Sequence, residues 1–148
     1  MLRPILLLAL VACSSGAATQ PATMRVGAVV FPAHGRLQVR IAETEQERQT
    51  GLMHVMALAQ DDGMAFVFPE PVTETFWMKD TVIPLSVAFV DANDRVVSIA
   101  DMQPCTDDPC PTYAAAGPYQ LAVEANLGWF SDHGVAAGDG ARLEPSGG

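Results

Sequence analysis

Leu85-Ser86-Val87-Ala88-Phe89-Val90, Asp91-Ala92-Asn93-Asp94 and Arg95-Val96-Val97-Ser98-Ile99 form the stretch whose reading decides the fold. Two short apolar runs flank four residues of turn chemistry. Asp and Asn side chains bond to their own backbone and tolerate left-handed conformations. The composition therefore predicts two strands, Leu85–Val90 and Arg95–Ile99, joined by a hairpin turn.

Working outward, the same grammar recurs in both directions. Upstream, Arg25–Phe31 is an apolar, β-branched run ended by Pro32, and His34-Gly35 reads as a turn. Leu37, Val39 and Ile41 alternate with Gln38, Arg40 and Ala42, the period of a half-buried strand. Thr44-Glu45-Gln46-Glu47 matches a capping box, and Gly51 suits a helix stop, so one short exposed helix of about two turns is expected. Leu52, Met53, Val55, Met56 and Leu58 are apolar without one clear period. Asp62-Gly63 reads as a turn, Met64–Phe68 as a strand stopped by Pro69 and Pro71, and Thr73–Met78 as an extended piece. Downstream, Pro104–Gly117 reads as a turn-rich loop and Tyr119–Ala125 as a strand. Asn126–Gly134 reads as a loop or single helical turn, and Ala141–Glu144 as a last strand. Seven or eight short strands with one or two short helices make a mainly β domain, a small sandwich or barrel-like unit.

The chain begins Met1-Leu2-Arg3-Pro4, followed by an apolar run from Ile5 to Val11 and then Ala12-Cys13. A bilayer needs roughly 20 apolar residues, so the run is too short to span one, but it suits a signal-peptide core. Leu10-Val11-Ala12-Cys13 looks like a lipobox, the processing site of bacterial lipoproteins. The alternative is an ordinary secretory signal with an incidental cysteine. The expected organisation is a signal peptide over 1–12, a lipidated Cys13 with a flexible tether over 13–24, and a single β-rich domain over 25–146. Several lipid chains on Cys13 would hold a membrane firmly. The protein is thus expected in the cell envelope, facing the periplasm or exterior.

The formal charge of −9 over 148 residues becomes −10 once Arg3 leaves with the signal. A surface of that sign does not attract nucleic acid or anionic headgroups, and no basic cluster survives. With Cys13 lipidated, Cys105 and Cys110 remain as an even pair in an oxidising compartment. A structural disulfide is the first reading of Cys105-Thr106-Asp107-Asp108-Pro109-Cys110; a metal site and free or redox-active thiols are the alternatives. Zinc would want two more ligands, and His34, His54 and His133 lack the usual spacing.

Several motifs in fixed order resemble the domain-of-unknown-function family 192. They are Glu47-Arg48-Gln49-Thr50-Gly51-Leu52-Met53, Gly63-Met64-Ala65-Phe66-Val67-Phe68, Phe76-Trp77-Met78-Lys79-Asp80-Thr81, Ile83-Pro84-Leu85 and Phe89-Val90-Asp91. Cys110-Pro111-Thr112-Tyr113, Glu124-Ala125-Asn126-Leu127-Gly128 and Gly138-Asp139 continue the match, which covers roughly Leu37 to Leu143. The resemblance implies a β-rich domain, often behind an export signal, and implies no activity. One departure stands out: the family pattern usually has Arg where this chain has His54.

Phe76–Thr81 is the most unusual stretch. If it is extended, Trp77 and Lys79 face one side and Phe76 and Met78 the other. Trp77 beside Lys79, Asp80 and Thr81 would line a pocket suited to stacking on a sugar ring. The bland alternative is a core tryptophan next to a turn. Arg48 and Glu124 are the other candidates: either a structural ion pair, or an anion clamp with a general base. Met53, Met56, Met64, Met78 and Met102 fit core packing better than a copper site. No nucleophile elbow, phosphate loop or metal-spaced histidine pair occurs, so no catalytic residue, metal or cofactor is assigned.

Three functions follow. The leading one is a non-enzymatic ligand-binding or accessory module at the envelope, taking a small saccharide or anion. The second is a hydrolase or transferase using Glu124 with Arg48 or Lys79. The third is a structural partner of another envelope protein.

Overall fold

The computed structural model describes residues 23–147; Cys13, the expected signal peptide and most of the expected tether lie outside them. The described chain is mainly β. Its elements are β1 (Arg25–Phe31), β2 (Gly35–Ala42), α1 (Glu45–Thr50), β3 (Asp62–Val72), β4 (Phe76–Trp77), β5 (Leu85–Val90), β6 (Val96–Met102), β7 (Thr112–Tyr113), β8 (Tyr119–Asn126), α2 (Trp129–Asp132) and β9 (Arg142–Pro145). Seven strands form one mixed sheet in the order β6-β5-β8-β3-β2-β1-β9, and β4 and β7 form a second, two-stranded sheet. Within the large sheet every pairing is antiparallel except β2 with β3. A parallel pair needs a crossover, and here it is α1 with the irregular segment that follows. The two ends of the sheet approach each other at a single bridge between Arg95 and Gly140, so the sheet curls without closing into a barrel.

The hairpin that opened the reading forms as expected, with β5 and β6 paired from Leu85↔Met102 to Val90↔Val96. Its turn is built by Asp91, whose Oδ1 accepts from the N–H groups of Asn93 and Arg95. Asp94 takes the positive φ of 58° that completes it. β5 is buried along its whole length because apolar layers cover both faces of the sheet there. Ala88 and Val90 join a cluster with Phe31, Leu37, Val123 and the α2 residues Trp129 and Phe130. Leu85, Val87 and Phe89 join a second cluster on the opposite face with Leu52, Phe66, Met78 and Tyr119. β2, by contrast, buries Leu37, Val39 and Ile41 while Gln38 and Arg40 are exposed, the expected alternation.

The capping box of α1 also forms. Glu47 N–H donates to Thr44 Oγ1 at 3.2 Å, and Thr44 N–H donates back to Glu47 Oε2 at 2.9 Å. Gly51 ends the helix at φ 47°, ψ −131°, which has the positive φ expected of a glycine stop but not the left-handed helical ψ.

Three local expectations are corrected. Asp62-Gly63 is not a turn but the start of β3, paired with Gln38 and Val39; the turn lies just before it, closed by Asp62 N–H donating to Ala59 O. Pro69 and Pro71 do not stop that strand. They sit in the irregularity between Val67 and Val72, where no ladder pairing asks for their missing N–H groups. Pro104–Gly117 contains a strand, β7, which pairs Thr112 and Tyr113 with Trp77 and Phe76. The Cys105–Cys110 disulfide closes the start of this loop.

Candidate functional site

α1, β3, β4 and β8 bring their side chains to one open cleft of about 490 Å³. The five residues Arg48, Trp77, Lys79, Thr81 and Glu124 all line it. Asp80 is not among the lining residues. It takes φ 54° in the turn between them, and its carbonyl oxygen accepts from His54 N–H at 2.8 Å, so it shapes the turn.

Arg48 stands in the last turn of α1. Its Nη1 donates to the carbonyl oxygens of Glu43 (2.6 Å) and Val67 (2.9 Å), and its guanidinium lies 4.9 Å from the centre of the Phe68 ring. The helix is thereby fastened to β3. Among the described residues, Nε and Nη2 have no hydrogen-bond partner, which leaves part of the planar fork for the cleft. No ion pair joins Arg48 to Glu124, so the expected structural pair does not exist.

Glu124 sits in the middle of β8, flanked by Met64 of β3 and Val87 of β5. Strand alternation puts Leu121, Val123 and Ala125 in one core cluster and turns Ala122 and Glu124 to the other face. The glutamate is only 4 % exposed, and among the described residues its carboxyl has no hydrogen-bond or ion-pair partner. Burial pushes it up to about 8, so it carries a proton at neutral pH.

The Phe76–Thr81 stretch divides as the extended reading requires. Met78 is buried and Phe76 packs its ring against Phe66, Phe89 and Tyr119. Trp77 is 49 % exposed, with the Lys79 ammonium 5.5 Å from its ring centre. The alternative of a core tryptophan fails at this position. The buried indole is Trp129, whose Nε1 donates to Asp61 Oδ1. Lys79 pairs with Cys105, so the disulfide loop braces the rim of the cleft. Thr81 is buried, its hydroxyl donating to Lys79 O at 3.3 Å. Tyr119, under the aromatic group, donates its hydroxyl to Glu74 O; burial and then the Glu74 charge push its phenol well up.

The sequence reading missed Phe66, Phe68, Glu45 and Glu74 as lining residues. Phe66 and Phe68 had a usable signal, since they alternate with Val67 in β3 and share a face with Met64. Glu45 and Glu74 had none, because only the crossover and the small sheet bring them together. Of the five methionines read as core packing, Met64, Met78 and Met102 lie inside the second cluster, whereas Met56 is exposed and Met53 lines the cleft, so packing accounts for three of them. Among the described residues no three His, Cys, Asp or Glu side chains cluster in a way that could hold a metal ion.

Two solved structures share this architecture. A protein of Sinorhizobium meliloti 1021, whose name proposes a role in transcription regulation, is 26% identical with a TM-score of 0.75, covering 86% of this chain and 98% of that one. A protein of unknown function from Novosphingobium aromaticivorans DSM 12444 is 34% identical with a TM-score of 0.73, covering 84% of this chain and 91% of that one. No curated protein matches the chain. The DUF192 family, described as an uncharacterized ACR, matches over residues 29–143. That span includes both walls and the floor of the cleft, and the chain belongs to the DUF192 family.

Proposed function

We propose that the protein is a lipid-anchored cell-envelope binding module whose cleft takes a small saccharide. The observation that carries the reading is the convergence of Arg48, Trp77, Lys79, Thr81 and Glu124 on one open cleft with an aromatic wall. A half-exposed indole offers the flat apolar face on which a sugar ring stacks, and polar groups around it take hydroxyls. A free anion fits less well than a saccharide, because Glu45, Glu74 and Glu124 line the same space as Arg48 and Lys79. The anchor rests on Leu10-Val11-Ala12-Cys13. The transcription role in the Sinorhizobium relative's name is not carried over, because a net charge of −9 repels a polyanion.

The test is calorimetric titration with maltose, cellobiose and N,N′-diacetylchitobiose. At least one is expected to bind, and Trp77→Ala should weaken it roughly tenfold. No binding by any of them, or binding indifferent to Trp77, would remove the saccharide reading.

The second reading is a hydrolase or transferase using Glu124 with Arg48 or Lys79. The protonated state of Glu124 favours it, since a raised carboxyl is what an acid catalyst needs. Release of monosaccharide during the same titrations would decide for it; intact sugar after prolonged incubation would decide against it.

A further inference from the structure

The floor of the cleft holds one polar group that the protein leaves unanswered. The Glu124 side chain is buried between Met64 and Val87 and faces the cleft, with no partner among the described residues. Neither cation of the cleft pairs with Glu124. Arg48 is tied to the carbonyls of Glu43 and Val67, and Lys79 lies over Trp77 at the rim. Among the described residues no fully buried side-chain oxygen or nitrogen lacks a partner, so the Glu124 carboxyl oxygens, bonded to nothing in the protein, reach the open space of the cleft, where a ligand can complete them.

Resting on the saccharide reading, we propose that Glu124 is the specificity-determining group of the cleft: its carboxylic O–H donates a hydrogen bond to an acceptor oxygen of an uncharged ligand. A neutral carboxyl donates without bringing charge, and the nearby buried hydroxyl, that of Thr81, is already given to Lys79 O. The selectivity follows from the neighbours. A ligand ammonium placed against Glu124 would share the cleft with Arg48 and Lys79, and a ligand carboxylate would share it with Glu45 and Glu74. An uncharged ligand with a hydroxyl or amide acceptor meets neither penalty. The raised state of the carboxyl agrees with a donor that works at neutral pH and fails in alkali.

The charged groups around the cleft are Glu45 and Arg48 from α1, Glu74 before β4, and Lys79 after it; β3 and β5 present apolar Met64 and Val87 beside Glu124. The experiment is calorimetric titration of the full chain with whichever of N,N′-diacetylchitobiose, cellobiose and maltose binds tightest, at pH 7 and pH 9. Wild type should weaken about tenfold between them, following the protonated fraction of Glu124. Glu124→Gln keeps an uncharged donor, so its affinity should be the same at both pH values. Wild-type binding that is flat with pH, or that weakens equally in Glu124→Gln, overturns the proposal while leaving the saccharide cleft standing. Affinity that rises with pH overturns it, because the ionised carboxylate, an acceptor and not a donor, would then be the binding form. Failure of all three sugars to bind at either pH, with Trp77 unaffected, overturns both the proposal and the saccharide reading beneath it.

Discussion

Glu124 couples the folding of the domain to pH in the direction opposite to most carboxylates. Its folded value of about 8 lies above the ordinary 4.5. Below 4.5 both states hold the proton and the contribution of Glu124 is fully present. Between 4.5 and about 8 the unfolded chain releases the proton while the folded chain retains it, so stability falls as pH rises. The loss is on the order of a few kcal/mol and levels off above 8. Glu47 and Glu144 are held low, by backbone N–H groups of Thr44 and Glu43 and by Arg142, and they act below 4.5, outside this window. Glu124→Gln should therefore flatten the fall in urea midpoint between pH 5 and pH 8; a midpoint that still falls as steeply would refute the assignment. Arg48 makes a second prediction at this scale. Arg48→Lys places a point charge where one guanidinium nitrogen, Nη1, bridges two carbonyls and the delocalised plane lies against Phe68. It should lose about 1–3 kcal/mol, measured by urea unfolding, despite keeping the charge. At the level of single residues the sequence was readable where a polar side chain broke an apolar pattern, as Glu124 does between Val123 and Ala125. It was silent on Arg48's real partners, because Glu43 O and Val67 O are backbone atoms that any sequence would supply.

Elements decide how these side chains meet. β3 approaches β8 closely at Gly63, where a Cβ would collide with the carbonyl oxygen of Glu124 and come within 2.7 Å of Leu37 Cδ2. Gly63→Ala should destabilise by about 1–3 kcal/mol through this overpacking, read as a lowered urea midpoint. Asp62-Gly63 was misread as a turn for a related reason: a glycine inside a strand marks close backbone approach as readily as reversal. β7 was invisible because two residues carry no period. Its place beside β4 comes from pairing with Trp77 and Phe76, and the nearby Lys79–Cys105 bridge adds a second tie. Replacing both Cys105 and Cys110 with Ser frees that brace. The expected result is a loss of about 2 kcal/mol and a red-shifted emission from Trp77, while Trp129 in the core stays as it was. Unchanged emission would show that the small sheet holds the rim without the disulfide. Five strands of the large sheet were legible, because β1, β2, β5, β6 and β8 each carry either alternation or an unbroken apolar run between turn residues, whereas β3 was read too short at both ends.

At the scale of the whole molecule, composition pointed to a single β-rich unit, and the seven-stranded sheet with apolar clusters on both faces is that unit. What composition could not supply is the strand order, since β8 inserts between β3 and β5 and the one parallel pair depends on a crossover. The anchor is tested at this scale. Cys13→Ala should move the protein from the detergent-extracted membrane fraction to the soluble fraction, and an unchanged distribution would remove the lipid from the account. The pairing of β1 with β9, Ala28 opposite Glu144 and Val29 opposite Leu143, has a consequence for how the chain is made. The first strand to leave the ribosome waits for the last one to fill its second edge. The sheet is complete only once Pro145 has been made, and until then the second edge of β1 stays open for want of its partner.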